Sequence, residues 1–172
     1  MSTSEPLEIE RKFLIRMPDR SVLLAQDCVT VKEITQTYLT AEPGSTRRVR
    51  KSVMNGTATY RKTEKQRISF LSAIELEEDL TEADYLVLLE EADPTRHPIQ
   101  KTRVTFPFAE HLMEIDLYPF WEDRAILEVE LSSEDEAYAI PSFLSVIREV
   151  SGDKRYKNVN LARAIVNDPI DP

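Results

Sequence analysis

The chain has 172 residues, 41% of them hydrophobic, and a formal net charge of -9. That is apolar material for one packed domain over 1–172, and too acidic for a general nucleic-acid binder, which needs a basic surface to displace counterions from phosphate. The single Cys28 excludes an intramolecular disulfide and a cysteine-rich zinc site, and no apolar run reaches the roughly 18 residues needed to span a membrane.

At the N-terminus, Glu5, Glu8 and Glu10 interrupt the one stretch that could serve as an export signal, so the expected location is cytoplasmic. Glu8-Ile9-Glu10-Arg11-Lys12 alternates in a way that predicts a strand over 7–15, with Glu8, Glu10 and Lys12 on one face and Arg11 on the other. A helical pattern follows at 19–26, with Cys28 on its apolar side as a packing residue rather than a nucleophile. Strands are predicted at 35–40, 46–53, 57–63 and 68–78; Pro43-Gly44 marks a turn, and Asn55-Gly56 is a strong hairpin signal. A helix over 81–91 opens at Thr81-Glu82, and strands at 99–107, 111–118 and 125–131 follow the Asp93-Pro94 turn. The last two helices are predicted at 141–150, with Pro141 in the first turn, and at 159–166. Eight strands in an α+β chain suggest a barrel or a strongly curved sheet.

Charged residues two apart recur along these strands: Arg48 with Arg50, Glu75 with Glu77, Lys101 with Arg103, Glu114 with Asp116, and Glu128 with Glu130. Any one pair reads as the solvated face of an amphipathic strand. Repeated around a closed barrel with a covered apolar outside, the pairs converge on the lumen. There, acids and bases must compensate one another or hold water and metal.

Carboxylates are hard oxygen ligands that suit Mg²⁺ or Mn²⁺, a role fitted by Glu8, Glu10, Asp116, Glu128 and Glu130. Lys12, Arg48, Arg50, Lys101 and Arg103 suit phosphate. Gly44, Gly56 and Gly152 are the only glycines, so a glycine-rich phosphate loop is excluded. His97 and His111 have no metal-ligand spacing and read as surface or strand residues.

Glu8-Ile9-Glu10-Arg11-Lys12 resembles the Glu-x-Glu-x-Lys signature of the CYTH superfamily, the triphosphate tunnel metalloenzymes. The resemblance continues in order through Arg48-Val49-Arg50, Glu75-Leu76-Glu77, Lys101-Thr102-Arg103, Glu114-Ile115-Asp116 and Glu128-Val129-Glu130, and closes on Gly152-Asp153-Lys154-Arg155-Tyr156-Lys157-Asn158. It implies an eight-stranded antiparallel β-barrel, a tunnel with helices packed outside. It also implies a divalent-metal-dependent phosphohydrolase acting on inorganic tripolyphosphate or a related triphosphate. By position, Glu8, Glu10 and Lys12 become catalytic, the glutamates binding metal and positioning water while Lys12 meets phosphate. Asp116, Glu128 and Glu130 complete the metal site for Mg²⁺ or Mn²⁺, and Arg48, Arg50, Lys101, Arg103 and Arg155 bind substrate.

The resemblance also expects a lysine near position 60; Lys62 is favoured over Arg61, whose side chain would face the opposite way. Glu75 and Glu77 are expected in the polar network. A small triphosphate or polyphosphate is the implied partner and a homodimer the suggested assembly, with neither nucleic acid nor membrane involved. The same tunnel serves adenylate cyclases and thiamine triphosphatases, and a non-catalytic polyphosphate-binding module is the alternative of a different class.

Overall fold

Residues 6–170 are described by the computed structural model, and their strands follow the alternation of the sequence. β1 (Leu7–Arg16), β2 (Thr30–Leu39), β3 (Ser45–Met54), β4 (Thr57–Arg67) and β5 (Ser72–Leu80) come first. β6 (Ile99–Phe108), β7 (His111–Leu117) and β8 (Arg124–Glu130) follow. Their spatial order is β5-β4-β3-β2-β6-β7-β8-β1, every pairing is antiparallel, and β5 pairs with β1 to close an eight-stranded barrel.

Local chemistry sets the hairpins. Asn55 and Gly56 both take positive φ, 51° and 77°, and join β3 to β4 as a two-residue turn whose twist matches the strands. Ala109 and Glu110 do the same between β6 and β7, at 47° and 68°, without a glycine.

The wall has one irregularity that decides the shape of the interior. Only Leu7–Ile9 of β1 pair with β5, and beyond Ile9 the two strands part. The edge of β1 thus released carries backbone groups that need partners. A ninth strand, β9 (Val146–Glu149), supplies them along Phe13–Ile15. Val150 N–H donates to the Lys12 carbonyl (2.8 Å), and Arg16 N–H donates to the Ser145 carbonyl (2.9 Å). This corrects the helix expected over 141–150: the demand of the β1 edge overrides the local pattern. Arg11, on the outer face, fastens the addition by donating to Glu149 at 2.7 Å and to the Glu134 carbonyl at 3.2 Å.

Helices are short: α1 (Arg20–Leu24), capped by Asp19, α2 (Glu82–Leu88), capped by Thr81 and continued by a 3₁₀ turn to Glu91, and α3 (Asn158–Leu161). Cys28 is not a packed helical residue; it is exposed in the turn after α1, at φ 55°. The helix expected over 159–166 ends at Leu161, and the chain beyond it carries the Val166 carbonyl to the Trp121 indole N–H at 2.8 Å. None of the helices among the described residues is long and apolar enough to cross a membrane.

Two apolar clusters position the site. Outside the barrel, Phe13, Ile15, Phe106, Met113, Ile115, Leu127 and Val129 pack beneath α1 and the segment before β9. At one end of the interior, Leu14 continues the inward row of Glu8, Glu10 and Lys12, and Ile126 continues that of Glu128 and Glu130. Both meet Tyr156, Leu161, Ala162 and Val166 of the C-terminal segment, together with Tyr38, Ile99, Tyr118 and Trp121. An apolar cap therefore fills one end of the barrel and leaves the charged rows around a cavity.

Candidate functional site: a two-walled charged cavity

The cavity has a volume of about 960 Å³ and reaches from the cap to the opposite mouth. Among the described residues eleven cationic and eight acidic side chains line it, so a protein of net charge -9 carries a net positive interior. Strand register sorts the charges. Glu10 stands opposite Glu130, Lys12 opposite Glu128, and Glu114 opposite Glu128, which gives β1, β8 and β7 an acidic wall. Across the lumen, Arg50 stands opposite Arg61, and Arg48 lies two residues away on the same face of β3.

Nine of the expected residues line this cavity: Glu8, Glu10, Lys12, Arg48, Arg50, Lys101, Arg103, Glu128 and Glu130. Asp116 does not. Its carboxylate is fully buried behind the wall, accepting from Lys101 Nζ at 2.8 Å and from Arg103 Nε and Nη2 at 2.8 and 2.9 Å. In this structure the residue expected as a metal ligand is the shared counter-ion of two cations, and Glu114, 2.5 Å from Arg103, lines the cavity in its place. Against the upward push of burial, Arg103 and Lys101 hold Asp116 well below the usual carboxylate range. Lys101 itself is pushed down to about 8 by burial, the strongest influence on it.

Lys62 and Arg155, both expected to bind substrate, do not line the cavity. Lys62 points outward on β4 and reaches Glu78 at 3.2 Å, whereas Arg61 and Lys65 face the cavity. Arg155 turns to solvent between Asp153 and Asp168, at 2.8 Å from each, while its neighbours Lys154 and Lys157 line the cavity. In both cases the charge cluster was visible in sequence, and a one-residue error of facing reversed the assignment.

Lys65 is the functional candidate that sequence reasoning missed. Its Nζ lies 2.6 Å from Glu8 Oε1 and 3.5 Å from Glu75, which fixes Glu8 on the floor of the acidic wall. Alternation from Thr63, whose side chain is buried, through Lys65 to Arg67 would have found it once Arg61 was placed inward. Among the described residues Glu10 has no cationic group within ion-pair distance, and burial, then Glu128 and Glu8, push its carboxyl up to about 8. Glu128, by contrast, falls to about 2; burial opposes this, and Lys12 and Arg103 outweigh it.

The donor set agrees in kind with a hard divalent cation. Glu10 and Glu130 are directly opposed across β1 and β8, and among the described residues neither has a cationic group within ion-pair distance, so the pair is open to a cation. Among the described residues no three acidic, histidine or cysteine side chains gather as a ready-made cage. Mg²⁺ does not require one, because it usually takes one or two protein carboxylates and completes its shell with water and substrate phosphate.

No protein-family model matches the chain, and no curated protein matches it. Solved structures do. One, of the hypothetical protein NE1496, is 30% identical, covers 92% of this chain and 99% of its own, and superposes with a TM-score of 0.58. Another, of the inorganic triphosphatase NE1496, is 29% identical over 93% of this chain and 97% of its own, with a TM-score of 0.56. A putative adenylate cyclase from Bacillus halodurans shares the fold at 15% identity, covering 77% of this chain and 84% of its own, with a TM-score of 0.52. With its closed eight-stranded barrel and its ordered rows of charge, the chain belongs to the CYTH superfamily, the triphosphate tunnel metalloenzymes.

Proposed function

We propose that the protein is a divalent-metal-dependent phosphohydrolase that cleaves inorganic tripolyphosphate with water to pyrophosphate and phosphate. The observation that carries this reading is the opposition of two incomplete walls: among the described residues, Arg48 and Arg50 have no carboxylate within ion-pair distance on one side, and Glu10 and Glu130 no cationic group within that distance on the other. A polyanion completes the first and a divalent cation the second. The 29% identity with an inorganic triphosphatase supports the choice of reaction.

Arg48, Arg50 and Arg103 bind the phosphate oxygens through planar guanidinium groups, which grip such oxygens in pairs. Lys101 and Asp116 hold Arg103 in its orientation. Glu8, fixed by Lys65, accepts a hydrogen bond from the attacking water and aligns it with the terminal phosphorus. Mg²⁺ or Mn²⁺ held by Glu10 and Glu130, beside Glu128, would supply charge neutralisation of the phosphates. The aromatic residues on the cavity wall among those described are Tyr38, packed in the cap, and Tyr60, 4.9 Å from the Tyr85 ring. Tyr38 is buried and Tyr60 already packs on Tyr85, which favours an inorganic substrate over one carrying a nucleobase or thiazolium ring.

The test is a panel of tripolyphosphate, ATP and thiamine triphosphate with Mg²⁺, Mn²⁺ or chelator, scored for phosphate, pyrophosphate and cyclic AMP. Tripolyphosphate is expected to be the best substrate. Cyclic AMP as the main product would replace the reading with a cyclase, and binding without turnover would replace it with a polyphosphate-binding module.

A further inference from the structure

Beyond Ile9, where β1 leaves β5, the released edge of β1 is bonded in pieces. Glu10 N–H still reaches the Leu71 carbonyl, at 3.2 Å, and β9 pairs with β1 from Phe13 onward. Lys12 lies between these two supports. A backbone N–H and carbonyl withdrawn from water at such a break need partners from outside the strand ladder.

One side chain fills the gap. Ser151 Oγ accepts from Lys12 N–H at 2.9 Å and donates to the Lys12 carbonyl at 3.4 Å, beside the Val150 N–H at 2.8 Å. A hydroxyl can do both because it carries one donor and two acceptor lone pairs, and it stands here in place of a strand residue. Ser151 is 8% exposed and does not line the cavity. Five residues on, the Tyr156 carbonyl accepts from Lys12 Nζ at 3.5 Å, and Glu128 Oε1 lies 3.4 Å from the same ammonium. The turn after β9 therefore holds Lys12 at both ends, backbone and ammonium, while its side chain lines the cavity in the row of Glu8 and Glu10.

We propose that Ser151 is a positioning residue for Lys12: its hydroxyl fixes the Lys12 backbone and through it aims the ammonium at the phosphate under attack. The inference rests on the phosphohydrolase reading above, in which Lys12 meets phosphate, and deepens it by tying a residue that touches no substrate to the chemical step. Arg48 and Arg50 on β3 and Arg103 on β6 carry substrate binding from other strands. Loss of the hydroxyl therefore falls on kcat and leaves KM nearly unchanged. A misplacement of about 1 Å at a reacting group costs on the order of a hundredfold in rate.

A kinetic cycle over Ser151→Ala, Lys12→Met and the double variant tests this on tripolyphosphate with Mg²⁺, well below the melting temperature of each protein. Ser151→Ala is expected to lower kcat about 10–100-fold, with KM within about threefold of the wild-type value. Lys12→Met is expected to lower kcat at least as far, and adding Ser151→Ala to it to change kcat by less than about twofold, because the hydroxyl acts only through Lys12. A merely structural serine would reduce turnover by a similar factor in both backgrounds. That result, wild-type kcat in a folded Ser151→Ala protein, or full turnover in Lys12→Met would overturn the proposal. Should Ser151→Ala not fold, Ser151→Cys, close in size but weaker as donor and acceptor, enters the same cycle with a smaller loss expected. Amide exchange supplies a readout besides turnover: Lys12 N–H should exchange roughly tenfold faster in the Ser151 variant, and unaltered exchange would overturn the proposal whatever the activity. A wild type inactive on tripolyphosphate, with that acceleration still present, would count against the phosphohydrolase reading while the anchoring of Lys12 stands.

Discussion

Lys65 Nζ lies 2.6 Å from Glu8 Oε1, so the first carboxylate of the N-terminal motif is held by a lysine 57 residues away on β4. Burial opposes a charged Lys65, and Glu10 and Glu8 outweigh it, leaving the ammonium more firmly protonated than usual. The lysine is thus a fixed positive charge that aims Glu8 at the lumen. Lys65→Met should lower kcat on tripolyphosphate by about 10–100-fold, the scale expected when an aligning contact is lost. The check is steady-state kinetics beside a thermal melt. Unchanged kcat in a folded variant would show that Glu8 needs no such anchor.

Glu10 supplies a pH prediction with a definite sign. Its carboxyl is raised from the ordinary 4.5 to about 8, so the folded state holds a proton that the unfolded chain releases. The associated stability is complete below pH 4.5 and is lost as pH rises through about 8. Metal-free protein should therefore lose Tm between pH 5 and pH 8, and Glu10→Gln should flatten that fall while abolishing turnover. Asp116 and Glu128 act in the opposite direction. Both are depressed, Glu128 to about 2, so their contribution is present above the unfolded carboxylate range and disappears as acid is added toward pH 2. Thermal melts from pH 2 to 9 with chelator measure both limbs.

Asp116 is the most consequential buried charge. Replacement by Asn leaves Lys101 and Arg103 facing each other without a shared counter-ion in the barrel wall. Breaking a buried pair from one side costs roughly 3–5 kcal/mol. Denaturant unfolding of Asp116→Asn should register a loss of that size, and a loss below about 1 kcal/mol would mean that solvent reaches the trio.

Arg11 separates architecture from chemistry within a single pentapeptide. Facing away from the cavity, it bonds Glu149 and the Glu134 carbonyl and lies over Tyr138. Because both ends of its ion pair are partly solvated, Arg11→Ala should cost roughly 1 kcal/mol of stability. Tripolyphosphate kcat/KM should stay near the wild-type value. Kinetics and a urea titration on the same sample distinguish this outcome from a catalytic role.

Alternation made the inward rows of β1, β6 and β8 legible in sequence, because each has a period of two and a largely apolar opposite face, and in β3 the pair Arg48 and Arg50 flanks the buried Val49. Asn55-Gly56 likewise announced the hairpin that brings Arg48 and Arg50 opposite β4. Facing was not legible where no apolar alternation fixes the phase: Tyr60-Arg61-Lys62 reads either way, and the register with Arg50 decides it. The sequence of 141–150 looks helical from Pro141 onward, but the strand there answers a demand made by the edge of β1, more than 130 residues away. Asp116 carried a ligand's chemistry in sequence. Only the packing of Lys101 and Arg103 on either side of its carboxylate shows its two ion-pair partners.

The most direct test of the central claim is product release from tripolyphosphate by the wild type, with Mg²⁺ or with chelator, beside Arg50→Ala and Glu10→Gln, one from each wall. Equimolar phosphate and pyrophosphate are predicted with metal, with none under chelation, and a loss of at least about a hundredfold in kcat/KM for either variant. Metal-independent release, or full activity in both variants, would contradict a reaction carried out between the two walls of this cavity.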